Sequence, residues 1–150
     1  MDVPQIKEIR KFIRNDIPKL IDKGIQNAVE RYKNELIDYQ VNRQWFDEGE
    51  MADGTKIKPL NKPYKVYSQF TVKKKRSKGQ PTDRVTWKDT GRFHASVRIL
   101  VLEDRFIIEV DPSAYRKLVA QYGEGGIGIQ DIYLREFANK RIMPEIKALM

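Results

Sequence analysis

The sequence predicts an α+β fold: a long N-terminal amphipathic helix, an antiparallel β-sheet with a hairpin and a basic loop, and a C-terminal helix. Three observations predict it. Apolar residues recur at spacings of three and four from Leu20 to Tyr39. Two strand-like runs, 96–102 and 105–110, flank the tight connection Glu103-Asp104. A second helical stripe closes the chain, through Tyr133, Leu134, Phe137, Ala138, Ile142, Ile146 and Leu149. A length of 150 residues fits one domain, 1–150. Within it the reading is a helical segment 1–41, a loop-rich antiparallel sheet 42–128 and a C-terminal helix 129–150.

Each element follows from local chemistry. Ile6, Ile9, Phe12 and Ile13 place a helix over residues 4–14, with Pro4 in its first turn. Asn15-Asp16-Ile17-Pro18 is expected to end it. Asp16 then caps a new helix, and Pro18 is tolerated in the first turn because its missing N–H has no helical partner there. That helix is expected to run over 17–40 with Leu20, Ile21, Ile25, Ala28, Val29, Tyr32, Leu36 and Tyr39 on one buried stripe. Gly24 either weakens it by about 1 kcal/mol or marks a close helix contact.

Asp53-Gly54 signals a turn, because glycine tolerates positive φ. Pro59 and Pro63 keep the next stretch irregular. Residues 64–72 read as a strand, with Tyr67 and Phe70 leaving a short helix open. Arg84-Val85-Thr86-Trp87 is β-prone. Asp89-Thr90-Gly91 caps a short helical turn over 92–95, and residues 97–110 form a hairpin. Residues 114–122 read as helix or turn, and Gly123-Glu124-Gly125-Gly126-Ile127-Gly128 as a flexible loop. Pro144 is expected to kink or split the last helix.

Composition narrows the chemistry. The chain has 29 Lys+Arg, 21 Asp+Glu, one His and no Cys. That excludes a disulfide scaffold, an iron–sulfur cluster, a thiolate zinc site, a Cys nucleophile and a His-rich metal centre. No apolar run approaches the roughly 18–20 residues that span a bilayer. The first residues, Met1-Asp2-Val3-Pro4-Gln5-Ile6-Lys7, lack the apolar core of a signal peptide. The expectation is a soluble chain made in a cytoplasm, with no membrane partner.

The net charge of +8 is unevenly placed. Residues 62–98 hold 11 basic and 2 acidic side chains, so that segment is +9 and the rest of the chain is −1. Its densest part, Lys73-Lys74-Lys75-Arg76-Ser77-Lys78, ends in Gly79 and Pro81 and reads as an exposed basic loop. Such a loop is a solvated tip, a phosphate-binding element acting by counterion release, or a contact for an acidic protein surface.

Other motifs carry less. Gly123, Gly125 and Gly128 formally match G-x-G-x-x-G, yet only 22 residues follow and they read as one helix, leaving no second strand for a dinucleotide site. His94 and Ser96 lie two apart without an orienting acid, so a partly buried structural histidine is expected. Glu145-Ile146-Lys147 echoes half of a nuclease metal site, but it sits on a helix. Asp47, Glu48, Glu50 and Asp53 lack the order of a calcium loop and read as a solvated acidic turn. Trp87 and Phe93 read as core. Tyr64, Tyr67 and Phe70 are candidates either for stacking on single-stranded bases or for packing on the helix 17–40. No catalytic residue, metal or cofactor is expected.

The run Gly79-Gln80-Pro81-Thr82-Asp83-Arg84-Val85-Thr86-Trp87-Lys88-Asp89-Thr90-Gly91-Arg92-Phe93-His94-Ala95-Ser96-Val97 resembles a segment of small tail-completion, neck and virion-morphogenesis proteins of tailed bacteriophages. In those proteins an apolar residue, a spacer, Thr-Gly, a bulky apolar residue and a Ser introduce an antiparallel hairpin. Here the corresponding residues are Trp87, Thr90, Gly91, Phe93 and Ser96. The turn Asp53-Gly54, the Lys-rich segment, the run Leu118-Val119-Ala120-Gln121-Tyr122-Gly123 and the order of elements are similar too. Ile127-Gly128-Ile129-Gln130-Asp131-Ile132 stands where many such proteins carry an Arg-Pro-Phe-type motif. The resemblance implies a non-enzymatic head–tail connector, located in the virion and assembled in the host cytoplasm. It implies a homo-oligomeric ring between portal and tail that contacts portal, tail or neck proteins. The basic residues Lys73, Lys74, Lys75, Arg76 and Lys78 are its candidate contacts to a neighbouring chain or genomic DNA. The alternative reading is a basic nucleic-acid-binding protein.

Overall fold

The structure is a computed structural model describing residues 3–61 and 67–150. Two antiparallel helical columns frame it. The first consists of α1 (Val3–Lys11), α2 (Ile17–Arg31) and α3 (Lys33–Asp38), and the second of α7 (Asp131–Phe137) and α8 (Met143–Leu149). Between them in sequence come α4 (Gln69–Ser77), α5 (Arg92–Ala95), the strands β1 (Arg98–Val101) and β2 (Phe106–Glu109), and α6 (Pro112–Tyr122). The α+β class therefore holds, with long helical segments at both ends and a two-stranded antiparallel sheet.

Contacts along the columns establish their opposed directions. Gly24 faces Ile146, Arg31 pairs with Glu145, Glu35 with Arg141, and Arg43 with Glu136. A Cβ at Gly24 would lie 2.4 Å from Ile146 Cγ1, so this glycine marks a close helix contact.

Pro18 does not end the N-terminal helix. A π-helical turn over Phe12–Asp16 carries it through, and the Ile17 N–H bonds Phe12 O five residues back. The same device precedes Pro144: Ala138–Ile142 is π-helical, and the Met143 N–H bonds Ala138 O. A proline gives no N–H, and its ring crowds the carbonyl four residues earlier. Widening the preceding turn relieves the crowding without stopping the helix.

The single helix expected over 17–40 is interrupted at Tyr32, whose φ of −118° and ψ of 29° lie outside the helical region. The Arg141 guanidinium lies 4.1 Å from the centre of this ring. The helical path then continues beyond residue 41, π-helical over Tyr39–Asp47. Ile21 is 38% exposed and does not belong to the buried stripe. The opposite column instead covers the line from Leu20 through Gly24, against Leu149 and Ile146.

Two apolar clusters form the core. One gathers Ala28, Val29, Leu36, Tyr39, Ile99, Ile129 and Phe137 between the columns and the sheet. The other gathers Val41, Trp45, Met51, Ile57, Val85, Trp87 and Val97 under the loop-rich middle. Ile37 and Ile108 pack on both. Among the described residues no helix is long and apolar enough to cross a membrane.

The hairpin pairs Arg98 with Glu109 through to Val101 with Phe106. The Asp53-Gly54 turn also forms as expected: Gly54 has φ 87°, Asp53 Oδ1 accepts the Thr55 N–H, and Glu50 bridges Lys56. The strand expected over 64–72 does not form within the described residues. Residues 64–66, including Tyr64, lie outside them, and Gln69 opens helix α4, the alternative left open. Among the described residues the β-prone run 84–87 pairs with no strand, and side chains take its polar groups. Tyr67 Oη accepts the Thr86 N–H, and His94 Nε2 bonds Thr86 O at 2.8 Å. Arg84 Nε donates to Phe46 O.

Candidate functional site

The basic segment is a helix and not a loop. Ser68 caps α4 by accepting the Thr71 N–H. Lys74, Lys75 and Arg76 occupy its last turn, where positive charge complements the helix dipole. Gly79, at φ 69°, stops it: its N–H bonds Arg76 O, and the Gln80 N–H bonds Lys75 O. Lys73, Lys74, Arg76 and Lys78 are exposed, but Lys75 is buried. Its Nζ donates to Lys88 O at 2.9 Å and sits 4.8 Å from the centre of the Tyr67 ring. Burial pushes the Lys75 ammonium below its ordinary pKa, while Asp89 opposes the shift. The five basic residues therefore divide into four surface cations and one internal brace.

The motif residues are brought together and are structural. Trp87 is buried with φ 55°, a conformation bulky residues rarely adopt. Its ring lies 5.3 Å from Trp45, 6.1 Å from Phe93, 6.2 Å from Tyr122 and 6.4 Å from Tyr115. Thr90 Oγ1 accepts the Arg92 N–H, and Gly91 supplies the left-handed residue before α5, at φ 89°. Ser96 Oγ donates to Phe93 O and accepts the Asp111 N–H, tying α5 to the start of α6. His94 is the buried structural histidine expected. Burial pushes its pKa down, partly offset by the bond to Thr86 O.

Trp87, Thr90, Gly91 and Phe93 also line a groove of about 840 Å³ between α4 and α6. Phe70, 78% exposed, stands at its rim, and Lys74, Lys88 and Lys117 add positive charge. Asp89 pairs with Lys78 and Lys74, and Asp111 caps α6 through the Ser113 N–H. Among the described residues the Trp87 indole N–H has no hydrogen-bond partner. Tyr67 lines the groove, and its hydroxyl oxygen accepts the Thr86 N–H; burial pushes its pKa up to about 12.

The glycine segment 123–128, expected as a flexible loop, is clamped by hydrogen bonds. Gln40 and Gln44, both fully buried, reach it from the π-helical turn of the first column. Gln40 Oε1 accepts the Gly128 N–H at 2.8 Å. Gln44 Nε2 donates to Gly128 O at 2.7 Å, and its Oε1 accepts the Gln130 N–H. Trp45 Nε1 donates to Gly126 O at 2.9 Å. The Gly128 amide is thus committed to Gln40 and is not presented to a phosphate. Sequence reasoning missed these glutamines. The available signal was two amides four apart on an otherwise apolar helix face.

The remaining motifs resolve into packing. Glu145 is a buried carboxylate paired with Arg31. Ser96 and His94 bond different backbone carbonyls and not each other. Among the described residues no three His, Asp or Glu side chains converge as a metal site. The arrangement offers contact surfaces: a basic helix, an aromatic groove, and the apolar side chains left in solvent. Comparison with family models, curated proteins and solved structures finds no match for this chain.

Proposed function

We propose that the chain is a structural virion protein of the head–tail connector, neck or tail-completion type, working as a ring oligomer through contact geometry and not catalysis. The observation that carries this reading is the amount of apolar side chain left uncovered. Ile9, Phe12, Ile13 and Ile21 on the first column, and Met143, Leu149 and Met150 on the second, are all exposed. Apolar side chains left in solvent along both columns offer surface that other chains can cover. The resemblance around Trp87, Thr90-Gly91, Phe93 and Ser96 supports the same reading, because these residues build one rigid unit that leads into the hairpin.

Native mass measurement of the purified protein, alone and mixed with a portal protein, tests it. A defined ring or a stoichiometric portal complex is the expected outcome. A second reading, nucleic-acid binding, rests on the exposed cations Lys73, Lys74, Arg76 and Lys78 along α4. A protein that stays monomeric alone and with portal but retards DNA, with a steep salt dependence, replaces the first reading with the second.

A further inference from the structure

Among the described residues the N-terminal arm is a helix left largely uncovered. Every residue from Lys7 to Asp16 is exposed, including Ile9, Phe12 and Ile13, which share one helical face. Lys7, Arg10, Lys11 and Arg14 interleave with them and outnumber the two acids of the stretch, Glu8 and Asp16, and none of the four cations forms an ion pair among the described residues. Residues 3–16 extend about 20 Å at the rise of a helix. A lone helix of that length is marginal in water, so its apolar face calls for a partner.

A complementary surface lies at the other end of the same columns. The arm begins where α8 finishes, with Phe12 and Leu20 near Leu149 and Met150. At the opposite end, the first column finishes at Asp47 and the second begins at Asp131. Gln130 Nε2 donates there to Met51 O, drawing the acidic turn against the start of α7. Asp47 and Glu48 are exposed and Glu50 is half-buried at the end of the first column; Asp131 is exposed and opens the second beside Ile132, which is 68% exposed. Lys56 answers Glu48 at 3.9 Å; Asp47, Glu50 and Asp131 have no cation partner among the described residues. The arm is apolar and basic, and this shoulder is apolar and acidic.

We propose that the arm of one copy docks on the acidic shoulder of the next, head to tail, and this rests on the oligomer reading above. Pairing two arms would set Arg10, Lys11 and Arg14 of both copies against each other, which disfavours a two-fold contact. Because arm and shoulder occupy opposite ends of the molecule, each docking leaves both ends of the growing assembly open. Such contacts propagate, and they form a ring where the rotation between copies closes.

Charge reversal tests this. One variant carries Arg10→Glu, Lys11→Glu and Arg14→Glu. The other carries Asp47→Lys, Glu50→Lys and Asp131→Lys. Each alone is expected to keep the parent circular-dichroism spectrum and to need more than about a hundredfold higher concentration to assemble, since like charges now meet across the contact. Mixed in equal amounts, the two should associate again in alternation, because each reversed arm meets a reversed shoulder and each parent arm a parent shoulder. Should either variant fail to fold, Phe12→Asp with Ile13→Asp, on the exposed arm, must abolish assembly of the parent scaffold. If both reversed variants still assemble, or the mixture stays monomeric, the arm–shoulder contact is wrong while the oligomer reading survives. A parent that is monomeric alone and with portal, or whose arm binds anionic vesicles in place of a second copy, overturns the contact as well.

Discussion

Trp87 concentrates two costs at one position. Its left-handed backbone, at φ 55°, costs roughly 1–3 kcal/mol in a bulky residue. Its buried N–H, without a partner among the described residues, adds about 1–3 kcal/mol. The aromatic contacts of its ring offset both, and Gly126 makes room for it. A Cβ at Gly126 would lie 1.9 Å from Trp87 Cη2. Gly126→Ala is therefore expected to lower stability by more than about 2 kcal/mol, read from the urea midpoint. Gly125→Ala is the control: it meets no atom within 4 Å and carries only the strain of φ 96°, worth about 1 kcal/mol. Equal small losses at both sites would show that the ring is not seated there. His94 supplies a pH test at the same scale. Its folded pKa is depressed by burial, so below the ordinary value of 6.5 the unfolded chain binds more protons. The contribution of neutral His94 is whole above that value and is lost as pH falls below it. Urea melts between about pH 7.5 and about pH 5 should show this decline, and His94→Gln should flatten it.

At the scale of elements, α4 changes how the basic segment is to be tested. Converting Lys73, Lys74, Arg76 and Lys78 to Ser should leave the monomer folded and weaken assembly or DNA affinity in a salt-dependent way. Lys75→Ser should instead cost about 1–3 kcal/mol in stability, because it removes the donor to Lys88 O from a buried site. Thermal melts of the two variants separate these outcomes. Similar losses in both would mean that Lys75 is only another surface cation. The π-helical turn over Tyr39–Asp47 is tested through its clamp. Gln44→Leu strips partners from Gly128 O and the Gln130 N–H, so a loss of about 2–5 kcal/mol is expected. Faster amide exchange over 123–130 should accompany it, and unchanged exchange there would contradict the clamp.

At the scale of the molecule, the two columns meet along a seam with no slack. Ala28 is 0% exposed, so Ala28→Glu places a carboxylate where nothing answers it. Unfolding or loss of assembly is expected, and a soluble, assembled variant would show that the seam opens. Exhaustive chelation should leave the melting temperature and assembly unchanged, as the proposed contact mechanism needs no metal. A large drop on chelation would point to a bound ion and away from that mechanism.

The helices at the two ends, the hairpin over 97–110 and the turn at Asp53-Gly54 were legible because their causes are local. Apolar spacing sets a helix face, alternation sets a strand, and a glycine after an aspartate sets a turn. The helical nature of 69–77 was also written locally, in the Ser68 cap and the Gly79 stop, but the density of positive charge masked it. The path of 84–87, the burial of Lys75 and the clamp on the glycine segment had no local cause. Thr86 is held by Tyr67 and His94, Lys75 by Lys88, and Gly128 by Gln44, which stands 84 residues away in the chain. A buried polar group goes wherever a partner can reach it, and folding alone brings partners that distant within reach.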